Sequence, residues 1–461
     1  MTARRALWLL LTLFALPPRL ATAQETDTRY GPSPATLSKM VLNADQMQET
    51  HAALLAELAR LKAAGEPLTM MEAAPPPVPA EENAAPLYEQ AFAQVQLSFE
   101  DDQVLSDWLG SDTQPPTAAA PDVEKVQAIL DRNTIALDTL HLAAQRPRCR
   151  FTLDFSQGAA MLPRHYPRLR QVARLLTAEM VYEASRGQTG PALDTLRDAL
   201  AAAEALAGEP LMTSQLTRLA LHGMVLAHLP TVLATAAGPL PQARPLFDYL
   251  GTFDYPAALR EGLRWERLVG RAQFAEVRQD PALAAQATGE DLPELAKIYS
   301  GPLGPGLLDL DELFFLRQIG AELDAVALPY GEAQSRLRSV AQTLDPPPLY
   351  ALFSAVLMSS GATVHSSFTR RWARTGLAQI ALALTAYRAR EGSYPPSLAA
   401  VEATLGWKLP LDPFTGAPFV YRKQGAGYVA YSVGPNLQDD DGLPAATADD
   451  GTGDIVWSVA R

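Results

Sequence analysis

Apolar residues recur three and four positions apart over most of the chain, which is the spacing of one face of an α-helix. The clearest examples are 167–186 and 191–207, and the tight connection 187–190 between them predicts an antiparallel helical hairpin. The same period predicts further helices over 36–64, 209–235, 255–279, 308–328 and 330–344. We therefore expect a mainly α fold, with a helical body of irregular hairpins over 24–344.

Proline-rich stretches interrupt this pattern and separate the predicted helices. Proline lacks a backbone donor and disfavours a helical conformation in the residue before it, so helices end near such stretches. The stretch 238–245 also marks a point at which the helical body could divide into two subdomains. The proline-rich stretches lie at 73–79, 114–121, 238–245, 301–306 and 345–348.

The last part of the chain, 349–461, has a different pattern. Helical spacing continues over 349–391, and Gly392 with the prolines after it ends the helix. Apolar and polar residues then alternate, which is the period of a β-strand. We expect an α+β module in which a long helix packs on a small antiparallel sheet. Its predicted strands are 419–423, 428–433 and 454–459, with a hairpin connection at 425–427.

The N-terminus has the features of a secretory signal peptide over 1–23. Arg4 and Arg5 precede an apolar run at 6–16, and the small residues Ala-Thr-Ala end the segment. We expect a Sec-type signal that is cleaved after Ala23, and a periplasmic or extracellular location. The alternative is an uncleaved N-terminal anchor. No stable membrane span is expected after cleavage, because the apolar run is removed with the signal.

Composition and charge narrow the classes of function. Of the 461 residues, 48% are hydrophobic and 19% are charged, which is typical of a chain that builds packed cores. Cys149 is the single cysteine, which excludes a disulfide framework, a zinc ribbon and a Cys-x-x-Cys redox site. Removal of the signal takes away three arginines and no acidic residue, so the net charge changes from -13 to -16. Such a charge disfavours nucleic acid and anionic lipid as partners.

Short pieces with distinct structural roles follow one another after residue 385. They are Ala-Tyr at 386–387, Glu-Gly-Ser-Tyr-Pro at 391–395, Leu-Pro-Leu-Asp-Pro-Phe at 409–414, Gly-Ala-Pro-Phe-Val-Tyr at 416–421, Tyr-Ser-Val-Gly-Pro-Asn at 431–436 and Gly-Asp-Ile at 453–455. In this order they resemble the globular module of the type II secretion system major pseudopilin. The resemblance implies a helix packed on a small sheet. A pseudopilin begins with its own membrane helix, whereas here a Sec-type signal and a large helical body precede the module.

The acidic loop 434–454 carries a set of hard oxygen donors. Carboxylate and amide oxygens on a glycine-containing loop suit Ca²⁺, although the spacing is not that of an EF-hand. Pseudopilins bind calcium in this loop. The alternative is a solvated acidic loop without a metal. The ligands that the resemblance implies are the Val433 carbonyl, Asn436, one or more of Asp439, Asp440 and Asp441, and Asp454, and the loop also holds Asp449 and Asp450.

The densest basic region lies at 146–174 and indicates a candidate anion site. Guanidinium groups bind carboxylate, phosphate and sulfate bidentately. The alternative is that these arginines pair with acidic residues of neighbouring helices. The arginines are Arg146, Arg148 and Arg150, followed by two pairs spaced four positions apart, Arg164 with Arg168 and Arg170 with Arg174.

Glu179 and Glu183 lie one helical turn apart, and two such carboxylates could act as an acid–base pair. Arg186 and the preceding arginines could instead neutralise them, which would make the pair structural. The sequence contains no G-x-S-x-G, S-x-x-K, Walker or G-x-G-x-x-G motif. We therefore name no catalytic residue.

These observations favour an exported, non-enzymatic interaction or scaffold protein. The helical body would offer surfaces to a protein partner of unknown identity, and calcium would stabilise the module. The pseudopilin resemblance suggests a link to secretion or the cell envelope. The body itself resembles only uncharacterised exported proteins that carry Asn-Ala-Ala-Pro-Leu-Tyr, as at 83–88. The alternative is a hydrolase or glycan-processing enzyme with a site near Arg164 to Arg174.

Overall fold

A computed structural model describes residues 44–110, 123–161, 163–287, 293–348, 350–358, 360–445 and 452–459. The predicted signal peptide and part of the acidic loop, including Asp449 and Asp450, lie outside these residues. The described residues form a mainly α fold with a small antiparallel sheet near the C-terminus, which confirms the expected fold class.

The helical body begins with α1 (Ala44–Ala63) and the short α2 (Met70–Ala73). It continues through α3 (Ala85–Gln94), α4 (Phe99–Leu109), α5 (Val123–Arg132), α6 (Thr134–Ala144), α7 (Tyr166–Ser185), α8 (Thr189–Glu204), α9 (Met212–Leu226), α10 (Leu229–Ala234), α11 (Ala243–Leu250) and α12 (Tyr255–Gln279). It ends with α13 (Ala282–Ala287), α14 (Pro293–Ser300), α15 (Gly304–Ala325) and α16 (Tyr330–Gln342).

The predicted hairpin of 167–186 and 191–207 is confirmed by α7 and α8, which pack along each other across a short turn. Leu176 of α7 and Leu196 of α8 are fully buried. Both belong to the apolar stripes that the spacing of three and four residues defines, so the stripes form the contact between the two helices.

The segment 209–235 was predicted as one helix and forms two, α9 and α10. Pro230 lies in the first turn of α10, where a backbone N–H has no partner within the helix, so its missing N–H costs nothing. Because it has no N–H to donate, Pro230 also cannot continue the hydrogen bonds of α9. The stretch Met212–Ala234 has the length and mean hydropathy, 1.2, of a membrane span, and 56% of its apolar window is buried inside the protein. Core helices pass the same test of length and composition, so it is weak evidence for a span.

The segment 349–391 is also divided, so the prediction of one long helix was wrong in its first third. It forms α17 (Leu352–Leu357) and α18 (Gly361–Glu391). Ser360 starts α18, because its side chain accepts a hydrogen bond from the N–H of Thr363 and satisfies a free donor of the first turn. Gly392 ends the helix at a φ of 78°, as its sequence position predicts.

The short α19 (Leu398–Leu405) leads to a sheet of order β1 (Val420–Gln424), β2 (Gly427–Ser432) and β3 (Ile455–Val459), paired antiparallel throughout. Gln424 pairs with Gly427, so the predicted hairpin turn is confirmed and has two residues. Helix α18 packs against β2 and β3. The central strand β2 is buried along its whole length.

The apolar core continues across the predicted boundary between the helical body and the module. The ring of Phe414, in the module, lies 4.6 Å from the ring of Tyr330 of α16, centre to centre. The side-chain amide of Gln379 in α18 donates to the carbonyl of Phe247 in α11 at 2.9 Å. Helix α18 therefore connects the two parts through a shared core, and the domain boundaries stay a sequence-based prediction.

Candidate functional site

The described residues 434–445 of the acidic loop lie against the face of β2 that carries Val429 and Tyr431. Gly442 packs against the side chains of Tyr431 and Val429, which share this face of β2. A φ of 80° at Gly442 requires the left-handed region, which glycine adopts without strain. The Tyr431 hydroxyl donates to the Asp439 carboxylate at 2.9 Å. The loop thus covers β2 and explains why both faces of that strand are buried.

Asp454 is the centre of the loop's hydrogen bonds and is 3% exposed. Its carboxylate accepts the backbone N–H of Gly442 at 2.7 Å and that of Asp440 at 3.3 Å. Its own N–H donates to the Leu443 carbonyl at 2.8 Å. Burial raises the pKa of Asp454, the two backbone hydrogen bonds oppose the rise, and the charges of Asp439 and Asp440 add to it. Asp454 therefore ties the start of β3 to the loop.

Asn436, near the beginning of the loop, is linked to Asp454 through Asp440. Its side-chain amide donates to the Asp440 carboxylate at 2.8 Å, and its amide oxygen accepts the N–H of Gln438 at 3.1 Å. The structure thus brings three of the predicted calcium ligands together, namely Asn436, Asp440 and Asp454.

Asp439 and Asp441 make different contacts, with Arg422 of β1. The Arg422 guanidinium lies 2.9 Å from the Asp441 carboxylate and 3.9 Å from that of Asp439. Arg422 pairs in register with Val429, which places it on the face that the loop covers. The composition of the loop could not reveal this cation, because Arg422 precedes the loop and only strand pairing brings it close.

Val433 sits beside a carboxylate that the sequence analysis did not select. Its N–H lies 3.3 Å from the carboxylate of Asp412, which also accepts from the Phe414 N–H and the Ser432 hydroxyl. Asp412 is 2% exposed, and burial raises its pKa against the effect of these hydrogen bonds. Asp412 fixes the turn before β1 to the end of β2.

The donor chemistry at Asn436, Asp440 and Asp454 fits calcium, which takes carboxylate and amide oxygens. Each carboxylate has lone pairs beyond those used by the hydrogen bonds described above. Within the part of the chain that the structure describes, no group of three or more histidine, cysteine, aspartate or glutamate side chains is arranged to hold a metal ion. The residues that gather around Asp454 would thus supply only two carboxylates to an ion, with an amide and backbone carbonyls as further donors.

Two of the four arginines of the predicted anion site, Arg168 and Arg174, make separate contacts. Arg168 donates to the Gln171 side chain at 3.2 Å. Arg174 donates to the carbonyl of Asp102 at 2.7 Å and lies 3.4 Å from its carboxylate, which links α7 to α4. Arg164 and Arg170 are exposed. These contacts favour the structural interpretation for Arg174, and the anion site at these four residues stays a prediction.

Glu179 and Glu183 lie in a cluster with residues from the neighbouring helices. His141 of α6 lies 2.7 Å from the Asp198 carboxylate and 3.2 Å from that of Glu179. Glu183 accepts a hydrogen bond from the Thr195 hydroxyl at 2.8 Å. The cation beside the glutamates is therefore His141, a residue that the sequence analysis did not connect with them because it lies on another helix.

The cluster shifts the pKa values of two of its members. Hydrogen bonds to Asp198 and then to Glu179 raise the pKa of His141 to about 10, against the effect of burial. Burial raises the pKa of Glu183 to about 7, the hydrogen bond from Thr195 opposes the rise, and the charge of Glu179 adds to it. At neutral pH the cluster therefore holds a protonated histidine and a carboxyl that can carry a proton.

The pKa of His141 predicts that stability falls as pH rises from 6.5, its value without the folded environment, to about 10. Below this range both folded and unfolded chains bind the proton, and the stabilisation is complete. Within it only the folded chain keeps the proton, so the free energy of unfolding decreases with pH. Urea denaturation at about pH 8 and about pH 9.5 measures this decrease in the free energy of unfolding. Both pH values lie above the pKa of Glu183, so the titration of Glu183 does not contribute to the difference. His141→Gln should flatten the dependence; equal slopes in wild type and variant would contradict the assignment.

Comparison of the chain with protein-family models, curated proteins and solved structures finds no match. The pseudopilin resemblance therefore rests on the ordered pieces of the C-terminal part, and the function that it implies is a proposal.

Proposed function

We propose that the protein is an exported, non-enzymatic scaffold, in which a calcium-stabilised pseudopilin-like module is held rigidly on a helical body that binds a protein partner. The proposal includes a role in secretion or the cell envelope. The observation that carries it is the position of α18. This helix of 31 residues is buried among the helices of the body and also forms the support of the sheet.

In this proposal the shared helix α18 couples the two parts through its side-chain contacts. The hydroxyls of Tyr255 in α12 and Thr375 in α18 lie 2.8 Å apart, and the side-chain amide of Gln334 in α16 donates to the carbonyl of Ala362 at 3.0 Å. A close-packed core transmits strain because its side chains cannot rearrange freely. The affinity of a partner that binds the body would therefore depend on whether calcium has ordered the module.

Asn436, Asp440 and Asp454 are the residues that would hold calcium in this proposal. The ion would supply positive charge where the carboxylates of Asp440 and Asp454 approach each other. Arg422 already supplies positive charge to Asp439 and Asp441. We therefore propose that these two aspartates hold the loop against the sheet and do not bind the ion.

We expect millimolar calcium to raise the melting temperature of the mature chain, and a chelator to lower it. Binding to the folded chain alone would contribute about 2–3 kcal/mol at a hundredfold excess over Kd. Magnesium should substitute poorly, because it demands a tighter octahedral cage. Differential scanning calorimetry in calcium, magnesium and chelator measures the effect.

Two variants of equal charge change provide the control for calcium. Asp454→Asn should abolish the calcium-dependent shift, whereas Asp441→Asn, at a side chain that is 80% exposed, should keep it. Identical melting curves in calcium and chelator for the wild type would instead favour a loop held by Arg422 and backbone hydrogen bonds alone.

The scaffold role is tested by co-purification of the tagged full-length protein from its own cell envelope. We expect a partner that is retained in calcium and lost in chelator, and that is lost from Asp454→Asn but not from Asp441→Asn. A partner retained equally under all these conditions would contradict the coupling between module and body.

The alternative function, a hydrolase or glycan-processing enzyme, is favoured by the cluster of Glu179, Glu183 and His141. A carboxyl with a pKa near 7 can act as a general acid at neutral pH. Hydrolysis of aryl glycosides or cell-wall glycan by the wild type, abolished in Glu183→Gln with the fold intact, would support the enzyme. Hydrolysis that persists in Glu183→Gln would exclude this cluster as its site.

A further inference from the structure

A cavity of about 670 Å³ opens between α3, α6, α8 and α11. Its wall is completed by the proline-rich segment at Pro75 and Pro76 and by the connection that carries Cys149. The volume lies within the range of about 300–1,000 Å³ that is usual for small-molecule sites. The cavity is separate from the acidic loop and from the cluster around His141.

The charged side chains that line the cavity are nearly all cations. Arg146, Arg148, Arg150 and Arg197 line it, and Glu204 is the only acidic residue among the described lining residues. Both oxygens of Glu204 are engaged by the guanidinium of Arg218, at 2.6 and 2.7 Å. Its charge is thus compensated by Arg218, and the described lining side chains carry an excess of positive charge.

Three of these arginines have no carboxylate that compensates them in the described structure. Arg146 donates to the carbonyl of Glu81, and Arg150 donates to the carbonyls of Pro75 and Pro76. A backbone carbonyl accepts a hydrogen bond but carries no formal charge. Arg197 lies over the ring of Tyr249, with its guanidinium carbon 5.6 Å from the ring centre. The fourth, Arg148, lies 3.4 Å from Glu82 in an exposed pair, which contributes little.

Tyr88 provides a second, independent indication of a ligand. It is 1% exposed and lines the cavity, and its hydroxyl forms no hydrogen bond with the residues that the structure describes. Burial raises its pKa, so the hydroxyl stays protonated and is a donor. A hydroxyl that has no protein partner at a cavity wall can donate to an acceptor in the ligand.

Most of the remaining wall is apolar, with Gln145 and Cys149 as further lining residues. Its apolar part is formed by the side chains of Pro75, Pro76, Val78, Ala144, Ala201 and Ala205. Guanidinium forks recognise carboxylate and phosphate oxygens, and an apolar wall favours a ligand with a hydrocarbon or aromatic body. The ring of Tyr249 adds an aromatic surface beside Arg197.

We propose that this cavity binds a small organic anion, whose carboxylate or phosphate lies against the arginines and the Tyr88 hydroxyl while its apolar body contacts the proline and alanine wall. The site is distinct from the four arginines at 164–174. It is also independent of calcium, so its test does not depend on the acidic loop.

Isothermal titration calorimetry of the mature chain with three probes tests the proposal. The probes are 2-naphthoate, 2-naphthyl phosphate and the neutral 2-naphthol, which share one apolar body. We expect both anions to bind, with affinities that decrease at high salt, and the neutral probe to bind at least roughly tenfold more weakly. The ratio between the two anions distinguishes a carboxylate ligand from a phosphate ligand.

Single substitutions test whether the anions bind in this cavity. Arg197→Gln and the exposed Arg146→Gln should each weaken the anions roughly tenfold, and Tyr88→Phe roughly threefold, with little effect on the neutral probe. Arg164→Gln, with the same charge change on the predicted α7 site, is the matched control and should bind like the wild type. Each variant is first compared with the wild type in its melting temperature.

Three results would overturn the proposal. They are equal affinity for the neutral probe and the anions, anion affinity that is unchanged in both folded arginine variants, and no heat of binding for either anion at millimolar concentration. A loss of affinity confined to Arg164→Gln would place the anion site on α7 instead.

Discussion

Glu204→Gln should lower the free energy of unfolding by about 3 kcal/mol, because it removes one partner of a largely buried ion pair in which the Glu204 side chain is 19% exposed. Arg218, whose side chain is 6% exposed, would keep its charge with no carboxylate beside it. His222, which is fully buried, lies 2.7 Å from the same carboxylate. Burial alone would raise the pKa of Glu204, but His222 and Arg218 outweigh it and hold the pKa below its usual value.

Urea denaturation of the wild type and of Glu204→Gln measures this loss. The matched control is Asp248→Asn, which removes the partner of Arg244 in an exposed pair at 2.7 Å. That change should alter the free energy of unfolding by no more than about 0.5–1 kcal/mol. Equal effects of the two substitutions would contradict a buried pair at Glu204.

Asp311→Ala should lower the free energy of unfolding by about 3–6 kcal/mol, because it leaves several buried donors without an acceptor. The Asp311 carboxylate is fully buried and accepts the backbone N–H groups of Phe353 and Ser354 at 2.8 and 3.0 Å. It also accepts the hydroxyls of Tyr299, at 2.9 Å, and of Ser354. One side chain of α15 thereby holds the start of α17 and the end of α14.

Asp324→Ala, an exposed aspartate on the same helix, is the control and should change the free energy of unfolding by about 0.5 kcal/mol or less. Asp311→Asn keeps an acceptor oxygen and should fall between the wild type and Asp311→Ala. If Asp311→Ala melts like Asp324→Ala, the hydrogen bonds at Asp311 do not contribute as the geometry implies.

The sequence predicted α12 with the same bounds as the structure, 255–279, and the hairpin of α7 and α8 within three residues at each end. It also placed the end of α18 at Gly392 and the three strands. These features depend on local preferences, which a periodic pattern and a stop residue express within one segment. The division of 349–391 was missed because no proline or glycine lies between 349 and Ser360 to mark the end of α17.

The contacts within the candidate sites could not be predicted from local sequence pattern. The acidic loop was visible as a run of aspartates, but its cation, Arg422, belongs to a strand that only register brings to it. Likewise, Glu179 and Glu183 were visible one turn apart, whereas His141 lies 38 residues from Glu179 in sequence. The basic region 146–174 was visible in the sequence and includes Arg146, Arg148 and Arg150, but Arg197 of α8, which lines the same cavity, lies outside that region.

The sequence by itself determined the mainly α class and the elements with a clear apolar period, such as α7, α8 and α12, because that period and the positions of proline and glycine act within a few residues. It also determined the unequal charge of the surface. It did not single out α3 to α6, α11 or α14. Only the tertiary structure decided which charges neutralise each other, that α18 lies in a core shared by the body and the module, and that arginines surround a cavity at Tyr88. The physical reason is that these contacts join residues far apart in the chain. Arg267 and Glu66, 201 positions apart, meet at 2.6 Å through packing that no local pattern specifies.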